Sequence, residues 1–435
     1  MKRERGINEL YSDPDRADAH LWGRKPDPLT RRGFLNGAGL TAMALAVGAH
    51  IPFARNMPGG LIPAAFAQNG SFVINGKEDL VVLNERPIGA EARAHQLDDD
   101  VTPTRYHYVR NNGNLGAMAR SMDSTGYRLV VAGEVDNPLE LSLDDLKRNF
   151  PTHTWNLQLE CTGNGRAGYE PHPSGMQWTI GAVACSRWTG VSLADVLKAA
   201  GVKPSAVYTA NHSDDVHLSG NPELQALSRG IPISKAMNPH NMLAWEMNGE
   251  PIPDIHGFPV RMVIPGWAGS ASAKWISRIQ IRDQVHDGRG MTGMSYRINK
   301  YPVRAGTDVA PEDMNIVQSM PVKSLITRPE TGVSTPVSSA LTVRGQAWAG
   351  DQTVRNVDIS FDFGQTWQTT RLNDPVNPYA WQQWETEVRF PIPGYYEIWA
   401  RATDSNGRAQ PQVVPGWNPR GYLNNVMHRI AVTAV

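Results

Sequence analysis

The chain has 435 residues, in which 42 Lys+Arg are balanced by 42 Asp+Glu for a formal net charge of zero. That balance argues against a basic nucleic-acid face or a surface made for anionic lipid. Two cysteines exclude a disulfide framework, and no Cys-x-x-Cys-His occurs for covalent c-type haem.

Taken in chain order, the first signal is Thr30-Arg31-Arg32-Gly33-Phe34-Leu35, a twin-arginine export pattern. An apolar segment diluted by alanine and glycine follows over 34–49, and Ala65-Phe66-Ala67 offers a small-x-small cleavage site before Gln68. A membrane anchor is the other reading. The segment is short for a span, glycine-rich, and broken at His50-Ile51-Pro52. Residues 1–67 are therefore expected to be a cleaved signal, with the mature protein in the periplasm and no stable membrane span. What remains is long enough for two domains with sizeable cores. Residues 68–101 read as an irregular polar arm ending in Asp98-Asp99-Asp100.

Over 102–310, short strand patterns alternate with helix patterns, an α+β domain. Residues 127–135 alternate like a strand; 141–150 predict a helix capped by Ser142; 191–200 predict a second, capped by Ser192 and stopped by Gly201. Pro311, Pro321 and the Arg328-Pro329-Glu330-Thr331-Gly332 turn mark a linker into the last domain, 311–435. There the chain predicts strands at 341–348, 354–363, 367–372, 381–390, 394–403 and 428–435, separated by turns such as Ser405-Asn406-Gly407. Closely spaced strands without a catalytic cluster indicate an all-β immunoglobulin-like sandwich.

Chemistry concentrates at Leu159-Glu160-Cys161-Thr162-Gly163-Asn164-Gly165-Arg166. A thiolate suits a thiophilic metal, a nearby guanidinium favours the thiolate, and the same guanidinium could hold an oxyanion. A buried inert cysteine is the commoner meaning of such a turn. Cys185 reads as a small buried hydrophobe, and a Cys161–Cys185 disulfide stays open on the sequence. His153, His172, His217, His240 and His286 show no metal-ligand spacing.

Several separated motifs decide between these readings. They are Tyr108-Val109-Arg110-Asn111-Asn112, the 161–166 loop, Gln177-Trp178-Thr179-Ile180-Gly181-Ala182, and Ala244-Trp245-Glu246-Met247-Asn248-Gly249-Glu250-Pro251. Beyond them come His256-Gly257-Phe258-Pro259-Val260-Arg261, Ser272-Ala273-Lys274-Trp275, Ser295-Tyr296-Arg297 and Gly416-Trp417-Asn418-Pro419-Arg420-Gly421. In this order they resemble the sulfite oxidase family of molybdopterin enzymes over nearly the whole mature chain.

The resemblance implies a molybdopterin-binding domain of the sulfite oxidase fold followed by a dimerisation sandwich. It implies Cys161 as the thiolate on molybdenum, Tyr296 as the hydroxyl on the substrate side, and Arg110, Arg166 and Arg420 as the cationic substrate pocket. Trp178 falls where the family lines that pocket, although plain core is an equal reading of it. Arg110, Asn111, His256, Arg261, Ser272 and Lys274 fall where the family binds molybdopterin.

Two departures bear on substrate. Asn112 stands where animal members carry histidine, and Ser174 where they carry lysine. With no haem domain in the sequence, the chain resembles exported bacterial sulfite dehydrogenases, homodimers that pass electrons from sulfite to a separate c-type cytochrome. The sulfane dehydrogenase subunit is a near relative, which Arg110 and Arg166 fit less well. An S-oxide reductase, and a non-enzymatic exported binding or adhesion protein, are the remaining alternatives.

Overall fold

The computed structural model describes residues 72–113, 124–221 and 223–435. The expected export segment, 1–67, lies outside them.

The expected arm contributes structure of its own. Val81–Glu85 and Ile88–Glu91 form a hairpin that pairs with Val109–Arg110 in a three-stranded sheet, so the arm orders the Arg110 motif directly. Its last acidic residues tie it to the sandwich. Asp98 accepts from Thr327 and pairs with Arg328 and Arg344, which together hold its carboxyl below its ordinary range despite burial.

Two five-stranded sheets build the part that precedes the last domain. In one, Thr152–Glu160 pairs with Val183–Ser192, which pairs with Met242–Met247; Glu250–Pro251 and Arg261–Val263 add to that last strand. In the other, Ile276–Arg282 lies between the parallel Leu129–Gly133 and the antiparallel Tyr208–Ser213, with Leu139–Leu141 and Ser228–Arg229 at the edges. A shared core of Leu129, Val131, Leu193, Val196, Leu197, Ile276, Ile279 and Ile281 joins the second sheet to the helices.

Both predicted helices exist. Leu143–Asn149 starts on a capping box: Ser142 Oγ accepts from Asp145 N at 3.0 Å while the Asp145 carboxylate accepts from Ser142 N. Leu193–Ala200 starts after Ser192 and ends at Gly201, φ +68°. The Ser192 hydroxyl makes no capping bond, because Val191 and Ser192 still belong to the strand Val183–Ser192. Strands otherwise dominate this part, more than the sequence pattern predicts.

The last domain is a two-sheet sandwich. Lys323–Arg328, Leu341–Trp348, Gln382–Val388 and Arg371–Leu372 form one sheet; Val333–Thr335, His428–Ala434, Gly394–Asp404, Val354–Ser360 and Gln368–Thr369 form the other. Ile326, Val343, Trp384 and Val388 of the first face Val357, Ile359, Ile398, Ala400 and Val432 of the second. Two differences from the sequence reading stand out. Lys323–Arg328, expected as linker, is a strand buried at every position but the last, so it carries no alternation to read. The predicted strand 367–372 switches sheets at Thr370, Gln368–Thr369 pairing with one sheet and Arg371–Leu372 with the other.

Candidate active site

Cys161 follows the end of strand Thr152–Glu160 and is fixed there by its N–H, which donates to Ala182 O at 2.9 Å. The chain then turns tightly. Asn164 N donates to Cys161 O and Arg166 N to Gly163 O, both at 2.9 Å, and Gly165 sits at φ +92°, a conformation open to glycine. The loop is held from two sides by the sandwich. Beneath it, the fully buried Glu160 carboxylate pairs with Lys323 and accepts from Asn164 Nδ2 at 3.0 Å and Trp348 Nε1 at 2.8 Å. Over it, the segment 418–424 clasps down. Leu423 N donates to Thr162 O at 3.0 Å, Asn424 Nδ2 to Gly165 O at 2.7 Å, and Tyr169 Oη to Tyr422 O at 3.1 Å.

Cys161 opens into a pocket whose walls bring together Arg110, Arg229, Arg261, Lys274 and Tyr296. Tyr296 is held at φ +50°, a costly backbone for a bulky residue. Its carbonyl accepts from Val317 N at 2.9 Å. Its ring lies parallel to that of Tyr422, centroids 5.6 Å apart and 2° from coplanar. A guanidinium closes each end of this pair: Arg229 lies 4.7 Å from the Tyr296 centroid and Arg166 lies 5.3 Å from the Tyr422 centroid.

The other end of the pocket is a buried cationic cradle. Lys274 Nζ donates to Asn111 Oδ1 at 2.6 Å and to Ile255 O at 2.8 Å. Arg261 stands over Trp188, its Nη1 on His256 O at 3.3 Å. His107 and His256 meet edge to face with ring centroids 4.9 Å apart. Burial, with the neighbouring cations adding to it, holds both imidazoles and Lys274 well below their ordinary values, and burial alone lowers Arg261 to about 10. Asp215, raised to about 6 by burial, is the acidic group in this wall.

Polar atoms left over in this region say what it lacks. Both ring nitrogens of His256, Arg261 Nε, Asn111 Nδ2, Thr162 Oγ1 and Arg229 Nε are buried with no protein partner. Buried polar groups are normally paired. A phosphate-bearing, multiply anionic cofactor would meet the histidine, arginine, lysine and asparagine, and a thiophilic metal on that cofactor would meet the Cys161 sulfur. The residues present fit molybdenum-molybdopterin. Among the described residues no group of three or more His, Cys, Asp or Glu could hold a metal ion by itself.

Of the remaining expected residues, Ser272 lies in the pocket wall and His256, Trp178, Arg166 and Arg420 lie around it. The Ser272 Oγ accepts from Ile264 N at 2.9 Å. His256, fully buried, meets the lining residue His107 edge to face. Trp178, 1% exposed, packs edge-on against Tyr108 at 6.3 Å with Cys161 beside the same cluster. Arg166 lies behind Tyr422; its Nε donates to Arg420 O and its Nη1 to Met176 O, each at 2.6 Å. Its space is made by Gly163, Gly175 and Gly421, where an added Cβ would come within 3 Å of the Arg166 side chain. Arg420 turns toward the departure at position 174, Nη1 donating to Ser174 Oγ at 2.9 Å. Both cysteines are free; Cys185 is buried in the core and burial pushes its thiol up to about 12.

Three residues of the site, His107, Lys77 and Arg229, escaped the sequence reading, which gives Tyr108 a place in a motif but no role. Tyr108 opens the Arg110 motif and His107 adjoins it; burial first, then the Cys161 sulfur, pushes the Tyr108 phenol far above its ordinary range, so it stands in the pocket as a donor. Lys77, from the arm, donates to Thr104 O and His107 O beneath the cradle. Arg229 carries no local motif at all.

Similarity to known proteins agrees with this geometry. The family profile described as oxidoreductase molybdopterin binding domain matches residues 116–289, and that described as Mo-co oxidoreductase dimerisation domain matches 314–435. Mitochondrial sulfite oxidase of Homo sapiens is 36% identical over 372 residues, 81% of this chain and 65% of that protein, so the chain spans just under two thirds of its length. Sulfite oxidase of Gallus gallus is 34% identical over 368 residues, covering 80% of this chain and 77% of that one. Among solved structures, the sulfane dehydrogenase SoxCD from Paracoccus pantotrophus superposes with a TM-score of 0.65 at 26% identity, over 93% of this chain and 96% of that chain.

Proposed function

The chain belongs to the sulfite oxidase family of molybdopterin oxidoreductases, and from that premise we propose that it oxidises sulfite to sulfate in the bacterial periplasm and passes the electrons to a separate c-type cytochrome. The observation that carries this reading is that Cys161, Tyr296 and Arg110 line one pocket, beside a cationic cradle with unpaired polar atoms. His256, Arg261, Lys274, Asn111 and Ser272 would hold molybdopterin, and Cys161 would supply the protein thiolate to its metal. When bound, that group supplies the two-electron redox chemistry.

The protein's own residues bind and orient. Sulfite is a small dianion with a lone pair on sulfur. Arg110 offers it charge-assisted bonds from the pocket wall. Tyr296 donates from a hydroxyl that its stacked ring cannot swing away. Arg166 and Arg420 stand one layer back and strengthen the positive field rather than reach the anion. Sulfite and water become sulfate, two protons and two electrons. The electrons must leave singly to a haem carrier, through an encounter that is small and salt-sensitive. The twin-arginine pattern supports export of the folded, loaded protein, and the match to a dimerisation domain supports a homodimer.

The likeness to a sulfane dehydrogenase over almost the full chain favours a second reading, in which the substrate carries a sulfane sulfur. One experiment separates the two. The molybdenum-loaded protein is assayed for ferricyanide and cytochrome c reduction with sulfite and, in parallel, thiosulfate. Sulfite-dependent reduction of both acceptors is expected. Activity with thiosulfate and none with sulfite would replace the first reading by the second.

A further inference from the structure

Arg229 has no place among the roles assigned so far, yet it is one of the most constrained cations in the molecule. It ends the short edge strand Ser228–Arg229, which pairs with Asn211 and His212 of Tyr208–Ser213. The pairing sends its side chain into the wall of the Cys161 pocket, where the residue is 2% exposed. Nη1 donates to Gly290 O at 2.8 Å and contacts Met291 Sδ at 3.0 Å; Nη2 reaches Val317 O only at 3.5 Å; Nε is buried with no partner. Among the described residues no carboxylate pairs with it. The titratable groups that face it are the phenols of Tyr296, Tyr208 and Tyr422, a second guanidinium, Arg297, and the imidazole of His286. Arg297 donates to Met291 O, next to the carbonyl that Arg229 holds.

A guanidinium buried without a counter-ion is costly, because carbonyls and rings replace only part of its hydration. Such a cation stands at reduced cost only when an anion completes the site. The contrast with Arg166 is instructive. Arg166 has two full 2.6 Å bonds to carbonyls and lies on the far side of the Tyr422 ring. Arg229 has one strong bond, an orphan N–H and a wall position on the near side, against the Tyr296 ring.

We propose that Arg229 is a substrate-anchoring residue of this pocket, the guanidinium that, together with Arg110, binds the oxyanion beside Tyr296 and Cys161. The ligand class is a small tetrahedral or pyramidal oxyanion, sulfite as substrate and sulfate as product. The inference deepens the sulfite reading and rests on it for the substrate, while anion binding itself stands apart from turnover. A fork of N–H donors against two oxygens also explains why arginine rather than lysine occupies a position whose neighbours are rings and carbonyls.

The test uses the molybdenum-loaded protein with Arg229→Gln and Arg229→Lys. Steady-state assays with ferricyanide give KM and kcat for sulfite and the inhibition constant of sulfate; calorimetry gives sulfate affinity without turnover. Loss of a charge-assisted contact should raise the KM and weaken sulfate in both measurements by roughly ten- to a hundredfold in Arg229→Gln. Arg229→Lys should recover much of the loss, because the charge remains. A residue that merely props Tyr296 would lower kcat and leave sulfate affinity alone, and that result overturns the proposal. Should Arg229→Gln fail to fold, a lowered kcat in Arg229→Lys with sulfate affinity equal to that of the wild type at every ionic strength would overturn it equally. Sulfate binding lost in Arg229→Gln, with no sulfite turnover in the wild type, would uphold the anion site and defeat the sulfite reading. Sulfite turnover with Arg229→Gln kinetics unchanged would do the reverse.

Discussion

Replacing Lys323 with methionine should loosen the Cys161 loop from a residue that never touches the pocket. Lys323 begins the buried strand Lys323–Arg328 of the sandwich, and its ammonium pairs with Glu160, whose side chain is fully buried. Removing one partner of a buried pair leaves an uncompensated charge and typically costs about 3–5 kcal/mol. Two neutral donors, Asn164 Nδ2 and Trp348 Nε1, stay on the carboxylate, so the lower end, about 3 kcal/mol, is expected here. For a chain of this size that corresponds to a fall in melting temperature of roughly 3–5 °C. Glu160 immediately precedes Cys161, so molybdenum retention should fall with stability. Thermal scans at equal cofactor loading, with metal-to-protein ratios, measure both, since a bound cofactor itself raises the melting temperature. The double variant Glu160→Gln/Lys323→Met removes the stranded charge and should regain most of the loss. A single variant within about 1 kcal/mol of the wild type, or a double variant no better than the single, would refute the ion-pair argument.

Cys161→Ser should give a folded, pterin-containing protein with negligible sulfite oxidation, because a hard alkoxide replaces a soft thiolate; near-normal turnover would remove Cys161 from the chemistry. Cys185→Ser, in the core, should change stability alone. Lys77 makes a prediction about pH. Burial lowers its ammonium from 10.5 to about 7, so between those values the unfolded chain binds its proton more tightly than the folded one. Stability of the cofactor-free protein should therefore rise with pH from about 7 toward 10, by up to about 1.4 kcal/mol per unit for this group. Lys77→Met should flatten the rise, and identical urea midpoints against pH in both proteins would sink the argument.

Much of the site was legible because its chemistry needs rare residue types in local motifs. Cys161, Tyr296, Arg110, Arg261 and Lys274 stand in short motifs, and the fold brings all of them to one pocket. The capping box at Ser142 and the glycine stop at Gly201 were equally local, a matter of the hydrogen bonds and φ angles of a few adjacent residues. What the tertiary structure alone decided has a common cause. Arg229 reaches the site through strand pairing with residues 17 or so positions away in sequence, and Lys77 through an arm that joins the sheet of Arg110. Neither leaves a periodic trace.

The strand Lys323–Arg328 is buried on both faces and so shows no alternation, and the break at Thr370 is a change of partner that the alternating sequence cannot register. The placement of Arg166 behind Tyr422 depends on three glycines from separate loops making room for one side chain. Residue type and nearest-neighbour spacing, then, determined the elements and the kind of chemistry. Which cations face the pocket, and which stand behind it, followed from long-range packing, where burial sets the cost of each charge and only the assembled neighbours supply its partner.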